Sequence, residues 1–290
     1  MRGTGIYMRR LSTKLDGGPV VAAQRAADAG VRMIAIMGAW QEPGGSRVKT
    51  TAPNAGIADR YIAEFHRRGI SVWLWGYPWG GAHEDFVRAM QSTAAPGGIA
   101  GWLLDPELGM KWAGGGRPPK LPLGLVDTMR QGEAIAASVS GTQAVRRAQA
   151  AALMDASINA LAGRELAITS YGRAKFHGNF PWKEFARKHN GRVIGSPQLY
   201  TALPRDVDAG IAEWRAEGYE LIVPSVGTFG PRSGAKLHEH LSTFVDGVED
   251  VRGFWFWSWQ QTDSQEWRII TRWSGWFERG IVAASASCAR

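Results

Sequence analysis

The chain has 290 residues and a formal net charge of +8, with 44% hydrophobic and 21% charged residues. That is a globular composition, long enough for a large core, and barrels of this size are routinely one domain. A single cysteine, Cys288, excludes an intrachain disulfide framework and a cysteine-based metal site. The positive charge suits a polyanionic partner (nucleic acid, anionic lipid or a cell-wall polymer), the alternative being that it serves solubility alone. It comes in short pairs (Arg9-Arg10, Arg67-Arg68, Arg146-Arg147) without a basic run, so no nucleic-acid signature follows. No stretch of 18 apolar residues exists, so no membrane span is expected.

In chain order, short apolar runs alternate with amphipathic segments. The runs 5–10, 32–37, 71–76 and 99–105 read as strands, with helices over 19–30, 54–69, 83–94 and 142–163. The runs 166–171, 193–200, 220–226 and 253–259 continue the pattern, with helices over 181–191, 205–218, 234–248 and 264–280. Gly30, Gly69, Gly163, Gly191 and Gly218 stand just past helical segments, where a left-handed residue ends a helix. Eight strand–helix pairs predict an α/β fold: a single (β/α)₈ TIM barrel domain over residues 1–290. No G-x-G-x-x-G follows any strand, which argues against a dinucleotide fold. The widest spacing separates the fourth and fifth strands, where residues 108–140, rich in Gly and Pro, form a long loop excursion.

In such barrels the active site lies at the C-terminal ends of the strands. The residues there are polar and aromatic. Trp40, Glu42, Tyr77, Trp79, Tyr171, His177, Gln198, Tyr200, Trp257 and Trp259 form a candidate substrate-binding set. Aromatic faces stack on sugar rings, while amides and acids bond to sugar hydroxyls. The alternative is that part of this set simply plugs the barrel mouth.

The fourth run ends in "GWLLDPE", and Asp105 and Glu107 are the candidate catalytic pair. Two residues apart on an extended chain, their side chains leave the same face, with Cα atoms roughly 6.5 Å apart. Mutual repulsion would keep one protonated and leave the other an anion. Glycoside cleavage needs that division. Glu107, with the longer reach, is the general acid, and Asp105 is the stabilising anion. The alternative is an Asx-Pro turn with a solvated Glu107. His238 and His240 stand two apart in a helical segment and diverge, so no metal site is expected. Ser170 and Ser225 lack a G-x-S-x-G setting, so serine hydrolysis is not expected. No cofactor is expected.

The "LLDPE" at the end of the fourth run, with "ITSYG" (168–172), "PQLY" (197–200) and "FWFWSWQQ" (254–261), resembles the cell-wall muramidases of glycoside hydrolase family 25, common as phage and bacterial lysins. The resemblance implies a TIM barrel in which the Glu of D-x-E is the acid and the Asp its electrostatic partner. Those roles fall on Glu107 and Asp105. It also implies a polysaccharide substrate such as peptidoglycan. The family carries a further Asp at the end of its first strand. Here that run ends in Arg9-Arg10, and the nearest acid is Asp16.

The N-terminus has no apolar segment of a secretory signal, so the expectation is synthesis in the cytoplasm, followed by release to the cell wall or packaging in a phage virion. The rival reading is a catalytically inactive glycan-binding or structural barrel of a phage particle.

Overall fold

The computed structural model describes residues 3–41, 48–50, 55–78, 83–94, 98–106, 143–177, 180–187, 193–200, 204–228, 241–242 and 253–287. The strands are β1 (Gly3–Met8), β2 (Met33–Gln41), β3 (Val48–Thr50), β4 (Ser71–Tyr77), β5 (Gly101–Leu104), β6 (Glu165–Tyr171), β7 (Ile194–Gln198), β8 (Leu221–Ile222), β9 (Ser225–Gly227) and β10 (Gly253–Trp257). The α-helices are α1 (Thr13–Asp16), α2 (Pro19–Asp28), α3 (Ala55–Arg67), α4 (His83–Thr93), α5 (Gln143–Leu161), α6 (Trp182–Arg187), α7 (Pro204–Ala216) and α8 (Ser264–Ser287).

The sheet runs β1-β10-β9-β7-β6-β5-β4-β2 and closes through β1–β2, every one of these pairings being parallel. The expected (β/α)₈ barrel is therefore the observed fold. Its seventh stave is split into β8 and β9, because Pro224 has no N–H to give to the ladder. The stave stays attached on both sides of the break. Val223 N–H donates to the Gly195 carbonyl at 2.8 Å, and the Pro224 carbonyl accepts from Trp255 N–H at 2.9 Å. The antiparallel β3, folded back on the end of β2, was not expected from the sequence. The excursion 108–140 lies outside the described residues, as does the helix expected over 234–248 except for 241–242, which are helical.

Helix ends follow their local chemistry. Pro19 opens α2 at a position where its missing N–H is harmless. Asp263 Oδ1 accepts the N–H groups of Gln265 and Glu266, each at 2.8 Å, while Glu266 Oε2 accepts Asp263 N–H at 2.9 Å. This reciprocal cap starts α8. Four of the five glycines read as helix stops have positive φ: 68° at Gly30, 69° at Gly69, 87° at Gly163 and 106° at Gly218. Gly191 lies outside the described residues.

Strand alternation divides the apolar residues between two cores. Ile6, Ile34, Leu74, Leu104 and Ile168 face the helices and pack with residues such as Ala22, Phe65, Phe86 and Leu153. Tyr7, Ala35, Trp73, Trp75, Leu103, Ala167 and Trp255 face the lumen and pack with one another. The lumen has room for such bulk only where neighbouring side chains are missing. A Cβ on Gly5 would meet the Trp255 ring at 2.5 Å, and one on Gly101 would meet the Trp73 ring at 2.7 Å as well as the Glu165 carbonyl oxygen. Among the described residues no helix is long and apolar enough to cross a membrane.

Candidate functional site

Asp105 stands immediately after β5, in the inward-facing column of Gly101 and Leu103. Its N–H donates to the Gly76 carbonyl at 2.8 Å, so the backbone is still held by the sheet at this point. The side chain is buried, with 5% exposure, and its Oδ1 accepts a hydrogen bond from Gln198 Nε2 at 2.9 Å. Gln198 ends β7, two staves away. The pair therefore spans the lumen side of β6 at the barrel's C-terminal mouth.

Beneath this pair lies a group of buried hydroxyls. Tyr7 Oη is 3.0 Å from Ser225 Oγ, which is 2.9 Å from Ser196 Oγ. Burial pushes the Tyr7 phenol well above its usual range. The hydroxyls of Ser225, Thr169 and Ser196 oppose that rise, and the negative charge of Asp105 adds to it. Tyr7 is thus a neutral phenol beside a carboxylate.

Aromatic rings form one wall. Trp257 lies 5.0 Å from Tyr7 and 4.9 Å from Trp75, both edge-on, and Tyr200 stacks on it at 6.2 Å with planes 27° apart. The guanidinium of Arg9 lies 5.8 Å from the Trp257 ring centre. Arg9 N–H donates to Gln260 Oε1 at 3.1 Å, and Gln260 Nε2 donates to the Arg10 carbonyl at 2.9 Å. The end of β1 and the segment after β10 are thereby clipped together, with the Arg9 cation at the end of the first strand. Asp16, the nearest acid to the first strand, is held away from this group. It is buried in the β1–α2 connection, where Oδ1 accepts from Gly18 N–H at 2.9 Å and from Tyr61 Oη at 2.5 Å, and Oδ2 accepts from Ser12 N–H at 3.0 Å.

Of the residues expected at the mouth, Asp105, Gln198, Tyr200 and Trp257 are brought together. Trp40 and Tyr77 are register partners at the ends of β2 and β4, reached past an irregularity between Met37 and Ala39, and Lys49 of β3 lies 5.7 Å from the Trp40 ring centre. Tyr171 leans edge-on to Phe180 at 6.2 Å, and its carbonyl accepts from Trp214 Nε1 at 3.0 Å. Trp259 belongs to the outer core, buried and edge-on to Trp267 of α8 at 4.8 Å. It sits there because the strand ends at Trp257, and a 3₁₀ turn over Trp259–Gln261 breaks the alternation that put it on the mouth face. Glu42, Trp79 and Glu107 lie outside the described residues, as does the side chain of His177. Sequence reasoning missed Tyr7, Trp75 and Ser196. A period-2 count inward from each strand end would have found them.

The arrangement offers a buried carboxylate, a neutral phenol and an aromatic wall around one opening. It can bond hydroxyl groups, stack flat apolar faces and stabilise positive charge. Among the described residues, no group of three His, Cys, Asp or Glu side chains could hold a metal ion.

No family model and no curated relative matches the chain. Solved structures match it in fold. The class V chitinase of Nicotiana tobaccum is 11% identical with a TM-score of 0.56, over 94% of this chain and 99% of that one. The spore cortex-lytic enzyme SleL of Bacillus cereus is 10% identical with a TM-score of 0.57, over 93% and 73%. A truncated 3-deoxy-D-arabino-heptulosonate 7-phosphate synthase from Thermotoga maritima is 9% identical with a TM-score of 0.52, over 97% and 88%. At these identities the likeness is one of fold, shared by proteins of unrelated chemistry.

Proposed function

We propose that the chain is a glycoside hydrolase acting on peptidoglycan or a related polysaccharide. The observation that carries this reading is Asp105, a buried carboxylate on the lumen face at the barrel mouth, bonded to Gln198 and placed beside Tyr7. The motif "LLDPE", with its resemblance to family 25 muramidases, supports it. So does the occurrence of the same fold in a chitinase and a cortex-lytic enzyme. In this reading Glu107 donates its proton to the glycosidic oxygen as the bond from the anomeric carbon to that oxygen breaks. Asp105 stabilises the positive charge that develops on the sugar; water adds to the anomeric carbon, its oxygen and one proton forming the new hydroxyl while its other proton restores the Glu107 carboxyl. The wall formed by Trp257 and Tyr200 guides the chain of sugars across the opening.

The test is release of reducing ends from labelled cell walls. Glu107→Gln is expected to lower the rate by about 10²- to 10⁴-fold, the usual contribution of a positioned acid, and Asp105→Asn should lower it as well. An inactive wild type, or a Glu107→Gln enzyme as fast as wild type, rejects the proposal.

A second reading, a glycan-binding barrel without turnover carried in a phage particle, is favoured by Arg9. Its guanidinium lies 5.8 Å from the Trp257 ring centre, at the end of the strand on which the resembled muramidases carry an acid. Saturable binding of wall fragments without cleavage would select it.

A further inference from the structure

Away from the mouth, a groove of about 760 Å³ runs between α2 and α8. Arg25 of α2, Arg68 just beyond α3 and Arg268 of α8 all line it. Among the described residues none of the three has an ion-pair partner. Asp28 is the one carboxylate among the lining residues, and its Oδ1 already accepts from Gln24 Nε2 at 2.5 Å. The balance of the lining is therefore positive. One of its donors is also unsatisfied: Arg68 Nε is fully buried and has no hydrogen-bond partner among the described residues. Buried donors left without partners are rare and point to an ion or solvent that completes them. Guanidinium forks match the oxygens of phosphate better than any other side chain.

The groove also has an apolar flank. Val20 and Val21 are 56% and 47% exposed, and Trp267 lines the same space. The start of α8 is not the anion-binding element, because Asp263 already takes the N–H groups of Gln265 and Glu266.

We propose that this groove binds a phosphate group carried on a short organic chain, as in a sugar or polyol phosphate. Arg68, Arg25 and Arg268 hold the oxyanion, and the Val20–Val21–Trp267 flank covers the carbon chain. The site is independent of the mouth and does not rest on the glycosidase reading.

The test is calorimetric titration of the full chain at low salt with glycerol 3-phosphate and, separately, inorganic phosphate. Saturable binding of both is expected, tighter for the ester and weakening as chloride is added. Arg68→Gln should weaken it about tenfold or more, the usual effect of losing a charge-assisted bond. Arg268→Gln, an exposed position, should weaken it without touching the fold, which a melting curve checks. Equal affinity for the two probes would assign the site to free phosphate alone. No saturable heat with either probe, or unchanged binding in both variants, overturns the proposal.

Discussion

The two faces of the same strands are packed in different chemistry. Toward the helices, the fill is mostly aliphatic: Ile6, Ile34, Leu74, Leu104 and Ile168 meet alanines and other apolar side chains of the surrounding helices. Toward the lumen, it is aromatic at depth and polar near the mouth, from Trp73 and Trp255 through Tyr7 to Ser196, Ser225 and Asp105. A barrel can bury its outer face with generic apolar pieces. The lumen is narrow, so a few large rings must fill it, and glycines such as Gly5 and Gly101 must stand aside for them. The outer face thus gives stability alone. The inner face gives stability at the bottom and a chemically shaped surface at the top.

This contrast can be broken at its aromatic end. Trp255 has 0% exposure, and its ring packs against Tyr7 at 5.3 Å and Trp73 at 6.3 Å. Trp255→Ala should cost about 3–5 kcal/mol, as large-to-small changes in cores do, read as a lower urea midpoint. A loss below about 1 kcal/mol would mean that the lumen is not a packed core. A smaller effect is expected one layer higher. Ser225→Ala leaves Tyr7 Oη and Ser196 Oγ without their shared partner. It should cost about 1–3 kcal/mol, with little change of volume. A neutral result would show that the hydroxyl layer is not held together by this serine.

The smallest effect belongs to the outer wall. Arg173 bonds Glu213 at 2.7 Å and Asp206 at 2.7 Å, tying the segment after β6 to α7. Burial works against the Glu213 charge, but the Arg173 and Lys175 bonds outweigh it, and the carboxyl is held below its usual range. A depressed carboxylate contributes stability above its unfolded value of about 4.3 and loses that contribution as pH falls through the folded value. The stability gap between wild type and Glu213→Gln should therefore be full well above about pH 4.3 and shrink as the pH falls below it through the depressed folded value. A constant gap would remove the ion pair from the account.

Much of this architecture was legible in the sequence, because barrel strands are apolar on both faces and helix stops carry glycine. Gly30, Gly69, Gly163 and Gly218 mark the intervals, and Asp105 marks the end of the fourth stave. What escaped depended on partners far along the chain. The hairpin of β3 depends on pairing with β2 rather than on a run of its own. Tyr7 and Ser225 are 218 positions apart, and neither shows in its own stretch that it will meet the other. Trp259 has the composition of a mouth residue, yet the turn after β10 sends it outward.

The closing seam of the barrel bears on how the chain reaches this state. Gly3 pairs with Gly253, and the clip from Gln260 to Arg9 spans 251 positions. Loop closure over such a distance is slow compared with local pairing. During synthesis β1 must wait, with one edge unpaired, until almost the whole chain has emerged. A ribosome stalled before β10 would hold a sheet open at both ends, the form most exposed to joining another chain edge to edge.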